Sequence, residues 1–307
     1  FVPKSGGLLR RFAPRKDICS PFWDSPIKEG GYLDLKKLGI RALVTVSLGP
    51  FILFCAWKGG AIFLALVTSI VVLGMNEFYN LAAQKVTTPE RITGQATGVV
   101  LCFLFYYNLT AQIWVLLSAS LAILLIIELF RNETGPILNV ATTLMGMLYV
   151  ALLLAFLIMI RGINVQDSLE DTFGGKLVIL LFLCIWVCDS AAYLLGSRFG
   201  KHKLFERVSP NKTVEGTVAG FVFALAAAYL CYLTFFAEIG WQHALAVGAI
   251  CGSLGQLSDL LESLFKRDAK VKDSSNLIPG HGGILDRFDS EMLAAPAVYF
   301  YVYYLVS

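Results

Sequence analysis

Nine stretches of this chain are apolar over about the length a helix needs to cross a bilayer, near 40–57, 60–79, 94–109, 112–130, 139–160, 176–196, 214–237, 241–262 and 291–306. A spanning helix takes about 20 mostly apolar residues at 1.5 Å rise each. A soluble chain of 307 residues could form two domains, but it would need polar groups to cover them. Here 57% of residues are hydrophobic and 15% are charged, against roughly 25% charged in soluble domains. The pattern predicts an all-α integral membrane protein of about nine transmembrane helices. Very short links join the first span to the second and the third to the fourth, so these pairs should be antiparallel hairpins. The aromatic last span (Tyr299, Phe300, Tyr301, Tyr303, Tyr304) suits an interfacial belt.

Basic residues test that count, because Lys and Arg gather in cytoplasmic loops. With nine spans, 22 of the 25 Lys and Arg fall in alternate links beginning with the N-terminus. A missed or spurious helix would scramble this alternation. The N-terminus is therefore expected to be cytoplasmic. Residues 1–35 form a polar tail, and 36–307 a polytopic catalytic domain. The tail holds Pro3, Pro14, Pro21 and Pro26, which prevent a long helix. Its first 16 residues carry five bases and no acid, as expected of a tail that meets anionic headgroups, or of the remnant of an organelle-targeting peptide. The seven cysteines form no CxxC pair and no disulfide framework, and most sit in apolar spans as small hydrophobes.

Two links on the basic side stand out. Residues 197–215 read SRFGKHKLFERVSPNKTVE, and 259–291 hold 12 of the chain's 47 charges. Charge within a membrane span is costly and is a functional candidate by default, and here several acids sit at helical spacing on the ends of hydrophobic helices. Asp259 and Glu262 lie i, i+3 at the end of one span, and Ser263 and Lys266 continue that face. Asp286 and Asp289 repeat the spacing at the entrance to the last span. Clustered carboxylates repel one another unless a cation lies between them, and oxygen-rich sites favour Mg²⁺, bound with substrate phosphates. Asp189, inside the sixth span, could equally bond Ser190 or backbone.

The bases complement this cluster. Lys266, Arg267, Lys270, Lys272 and Arg287 surround it, and Lys212 sits in SPNKT at a helix start, where free N–H groups favour phosphate. Ser209, Asn211 and Thr213 share that segment, and Ser209 and Thr213 could cap the helix as readily as touch a phosphate. Gly280, Gly282 and Gly283 flank His281 in PGHGG, allowing backbone to approach an anion closely. His281 alone would ordinarily be a structural hydrogen-bonder, and no His/Cys partners make it a zinc ligand. Lys201, Lys203 and Arg207 read as positive-inside residues. No P-loop and no GxGxxG is present. Helix-borne acids and bases at the membrane surface thus point to phosphoryl or nucleotidyl transfer on a lipid phosphate.

Ser263–Asp289, SLFKRDAKVKDSSNLIPGHGGILDRFD, resembles the signature of phosphatidate cytidylyltransferases, the CDP-diacylglycerol synthases. That signature runs S-x-apolar-K-R, four residues, K-D, a spacer, then PGHGG-apolar-x-D-R-apolar-D, and every fixed position matches. The preceding DLLE, the SPNKTVEG segment and DSAAY of the sixth span are also similar. The resemblance covers residues 175–307 well, and the first five spans by hydropathy only. It implies that CTP and phosphatidic acid give CDP-diacylglycerol and pyrophosphate with a divalent cation, with a second cation such as K⁺ possible for the family. It also implies a homodimer among membrane lipids, with no nucleic acid. Carried over by position, Asp259 and Asp286 would be metal ligands, with Asp289 and Asp189 as further candidates. Lys266, Arg267, Lys272 and Arg287 would neutralise developing charge, with His281 orienting a phosphate or Asp273. Lys212 would meet a phosphate beside Gly282 and Gly283. The site would face the cytoplasm, in a bacterial inner membrane or an organelle. Alternatives are another CTP-dependent lipid enzyme (a CDP-archaeol synthase or polyprenol kinase) and, from another class, a transporter relaying ions through Asp189 and Glu77.

Overall fold

The computed structural model describes residues 35–306 except 86, 164–171, 276 and 278–281, with side chains described from residue 47 onward. The basic tail and His281 lie outside the described residues.

Within them the chain runs as nine helical rods: α1 (Leu35–Lys58), α2 (Gly60–Ala83), α3 (Arg91–Tyr106), α4 (Gln112–Phe130), α5 (Pro136–Arg161), α6 (Phe173–Phe199), α7 (Val214–Thr234), α8 (Trp241–Asp268) and α9 (Leu285–Leu305). Six of them, α2 and α4 to α8, are long and apolar enough to cross a membrane. α3 has 16 residues, and α9 begins with the polar run LDRFDSE. Both expected short links are present. Gly59 alone joins α1 to α2 at φ +65°, and a Cβ there would collide with the Arg161 guanidinium. That guanidinium donates from Nε to the Ala56 carbonyl at 2.8 Å, satisfying an end of α1 that lipid could not.

Close approach of the rods depends on small residues, because lipid supplies no hydrophobic drive between helices. A Cβ on Gly220 of α7 would lie 2.9 Å from the Cys188 carbonyl oxygen of α6. One on Gly248 of α8 would lie 2.7 Å from Ala228 of α7. Two rods contain wider π turns, Gly146–Leu152 in α5 and Cys251–Gly255 in α8. The first accommodates Tyr79, a fully buried side chain whose ring occupies the space beside Gly94 and Gly146 and whose hydroxyl donates to the Thr143 carbonyl.

The link 200–213 departs from an all-helical reading. Lys203–Phe205 (β1) and Ser209–Thr213 (β2) pair antiparallel, with Lys203 opposite Thr213. Glu215, in the first turn of α7, pins this ribbon. It accepts hydrogen bonds from the backbone N–H of Lys201 at 3.1 Å and of His202 at 3.2 Å.

Candidate functional site

A cavity of about 630 Å³ opens where α6 ends and α7 begins, bounded by α6, the β ribbon, α7, α8 and the first turns of α9. Sequence distance hides this arrangement, because its walls come from residues 189 to 289. Ten of the residues singled out in the sequence line it: Asp189, Asn211, Lys212, Thr213, Asp259, Lys266, Asp273, Asp286, Arg287 and Asp289. Membrane-embedded charge is expensive unless it faces a cavity or a partner; all the charged groups among these face the cavity, and Asp259, Asp286, Lys212 and Lys266 are also paired.

Asp189 projects into the cavity and is exposed there, which favours the functional side of its two readings. Asp259 pairs with Lys212 at 2.6 Å. Asp289 is nearly buried, and its Oδ1 accepts the Ser290 N–H at 2.7 Å. Its position is set by a break in α9, where Phe288 leaves helical geometry at φ −121°, ψ 16°. Lys266 joins two acids, reaching Asp286 Oδ1 at 2.7 Å and pairing with fully buried Glu262. The expected carboxylate pair on α8 is thereby divided: Asp259 faces the cavity, while Glu262 turns inward to neutralise a lysine.

Asp286 lies ahead of the apolar part of α9. Its Oδ2 accepts from Ser274 N at 2.9 Å, Ser274 Oγ at 2.8 Å and Gly283 N at 2.7 Å. Burial alone would raise its carboxyl, but Lys266 and these donors outweigh burial and hold it below the ordinary carboxylate value.

Other candidates do different work. Arg267 donates to the carbonyls of Val208 and Val271, both at 3.2 Å, tying the ribbon to the signature loop. Thr213 caps α7, its Oγ1 accepting the Gly216 N–H at 3.2 Å, and also lines the cavity. Ser209 opens β2, and Lys272, Gly282 and Gly283 lie in the loop; none of the four lines the cavity. Gly282 takes φ +81°, a conformation that favours glycine.

Sequence reasoning took Lys203 for a positive-inside residue, though the ribbon carries it into the cavity wall, and missed Gln256, buried on α8. Lys203 had no local signal, since its place depends on pairing with Thr213. Gln256, three residues before Asp259 on one helix face, had one. Gly196 and Gly216 also line the cavity, and a Cβ on Gly216 would lie 2.7 Å from the Ala192 carbonyl oxygen.

The donor set suits a hard cation in kind: five carboxylates line one cavity, with ammonium groups already paired to two of them. Among the described residues no three or more His, Cys, Asp or Glu are gathered as a ready metal cage.

The sequence profile of the cytidylyltransferase family matches residues 39–305. A phosphatidate cytidylyltransferase of Synechocystis sp. is 32% identical over 300 residues, covering 87% of this chain and 96% of the relative. One from Staphylococcus aureus (strain COL) is 34% identical over 268 residues, covering 84% and 96%. One from Bacillus subtilis (strain 168) is 40% identical over 153 residues, about half of each chain. The profile spans every rod from α2 to α9 and the whole wall of the cavity, and the chain belongs to the cytidylyltransferase family.

Proposed function

We propose that the chain is a CTP:phosphatidate cytidylyltransferase. A phosphate oxygen of phosphatidic acid attacks the α-phosphorus of CTP, forming the new P–O bond of CDP-diacylglycerol. The bond to the β-phosphate bridging oxygen breaks, and pyrophosphate leaves with the electron pair. The observation that carries this reading is the cavity itself. It brings the family signature together with Asp189, Lys203 and Lys212 from outside it, in a bundle with six helices long and apolar enough to cross a membrane.

The lipid phosphate is already an anionic nucleophile, so no side chain needs to form a covalent intermediate. What the chain must supply is orientation and charge. Lys203, Lys212 and Arg287 offer cationic donors to triphosphate and lipid phosphate, and Lys266 holds Asp286 in place. Asp259 and Asp289, with Asp189 beside them, would hold a divalent cation, with Mg²⁺ the proposed ion. When bound, that ion offsets charge on the nucleotide phosphates and on departing pyrophosphate. Asp286, whose oxygens already serve Lys266 and the loop amides, would hold it only by giving up Lys266. Lys212 would leave Asp259 to meet a phosphate as the cation arrives. A second, monovalent cation and a homodimer are proposed on the resemblance alone.

The cavity lies at the end of the bundle that carries the links 84–90, 131–135, 200–213 and 269–284. By the positive-inside rule this end faces the cytoplasm, where CTP is available. Purified chain given labelled CTP, Mg²⁺ and a panel of lipid acceptors should form a CDP-lipid with phosphatidic acid and release one pyrophosphate per product. Product with an isoprenoid acceptor but not with phosphatidic acid would overturn the substrate assignment, and no CTP turnover with any acceptor would overturn the enzyme reading.

A further inference from the structure

Glu77 lies in α2, in the half of the chain that the signature does not reach. It is 3% exposed, and α2 around it buries Met75, Phe78 and Tyr79. A carboxylate so placed is costly unless its oxygens are satisfied. Among the described residues, four donors reach it, all from the signature region about 200 residues away. Ser275 Oγ donates to Oε1 at 2.6 Å and Ser274 Oγ to Oε2 at 3.0 Å. The backbone N–H of Ile284 donates to Oε1 at 3.0 Å and that of Leu285 to Oε2 at 2.7 Å. The serines open the glycine-rich loop, and Ile284 and Leu285 close it into α9. One side chain therefore holds both ends of the loop.

The same residues fix Asp286. The Ser274 hydroxyl is shared between Glu77 and Asp286, and the Ser274 and Gly283 amides also point at Asp286. A Cβ on Gly283 would strike both Ser274 Oγ and Glu77. The last glycine of the PGHGG turn thus leaves room for the Glu77 carboxylate to enter the loop. Glu77 does not line the cavity, so it touches no substrate there.

We propose that Glu77 is a positioning residue for cytidylyl transfer: its carboxylate staples the two ends of the signature loop and thereby sets Asp286 and Arg287 against the cavity. A cap for α9 alone would need only the two amide donors. Taking both serine hydroxyls from the far end of the loop is what gives it the second task.

This inference rests on the proposed reaction, and its test separates the two. Glu77→Gln keeps size but leaves one accepting oxygen. The serine hydroxyls can turn to accept from the new amide, while a backbone N–H cannot, so Ile284 or Leu285 loses its partner. In hydrogen exchange on the purified full chain, E77Q should speed exchange of amides in the described loop residues and the start of α9, while α3 to α5 keep wild-type protection. With CTP and phosphatidic acid, kcat should fall about 10- to 100-fold and the half-saturating Mg²⁺ concentration should rise. Glu77→Asp, which keeps the charge, should recover part of kcat. Should E77Q fail to accumulate, Ser275→Ala removes one donor from the other side and should shift the same readouts less. Loop exchange at the wild-type rate would overturn the staple. So would a kcat loss matched by loss of folded protein with Mg²⁺ half-saturation unchanged. Absence of turnover by the wild-type chain would sink the reaction, while loop exchange would still decide the staple.

Discussion

The two halves of the bundle bury charge in opposite ways. In α2 to α5 each buried ion is consumed by nearby hydrogen bonds. Glu128 accepts from Asn139 at 2.7 Å, with Arg131 i+3 beside it, and Arg161 serves the carbonyls at the end of α1. In α6 to α9 most of the acids instead line an open cavity, Glu262 and Glu291 being buried away from it: Asp189 projects into the space, and Asp259 meets a lysine and, at 3.4 Å, the Ser263 hydroxyl. Charge whose hydrogen-bonding capacity is used up is structural, while charge left facing a cavity is available for chemistry. Glu77 crosses this boundary, since its surroundings belong to the first half and its partners to the second.

The comparison breaks first if Lys266 proves dispensable. Lys266→Met would leave Glu262 and Asp286 facing each other without a cation. Removing one partner of a buried pair costs about 3–5 kcal/mol, so the thermal midpoint in detergent should drop by several degrees and activity should vanish. Asp259→Asn should leave folding nearly unchanged and lower turnover on the order of 100-fold or more. Equal CTP turnover by mutant and wild type would remove Asp259 from the metal set. In the structural half the signs reverse. Gly146→Ala pushes a methyl into the Tyr79 ring, for a stability loss of about 1–3 kcal/mol, with turnover per folded molecule unchanged. The smallest effect belongs to Lys85→Ala. It breaks a pair with Asp268 at 2.6 Å whose side chains are 42% and 67% exposed, and such pairs contribute about 0–1 kcal/mol. A larger change in thermal midpoint would show that this contact joins the halves more tightly than its exposure implies.

Much of the fold was legible because a lipid-spanning helix writes itself locally, as about 20 apolar residues in a row. Most boundaries fell within a few residues, and the 259–289 stretch was legible because charge is scarce elsewhere. What the sequence hid was long-range. The β ribbon has no apolar alternation, and Pro210 sits inside β2, so nothing local announced that Lys203 would reach the cavity. Arg267 matched a phosphate-binding expectation by type and neighbourhood, yet its donors go to two carbonyls that only folding brings near. Glu77 entered the sequence reading only as an ion relay in the transporter alternative, and its four described partners lie almost 200 residues on.

The π turn at Cys251–Gly255 has one further consequence. Each residue of an α-helix advances the face by about 100°, and a π turn accommodates one residue beyond the regular count. Asp259, Glu262 and Lys266 all lie downstream of that extra residue, so their compass bearing relative to the α7-facing stripe at Gly248 is set by it. The loss or gain of a single residue in that turn would swing Asp259 and Lys266 about a quarter-turn away from their partners.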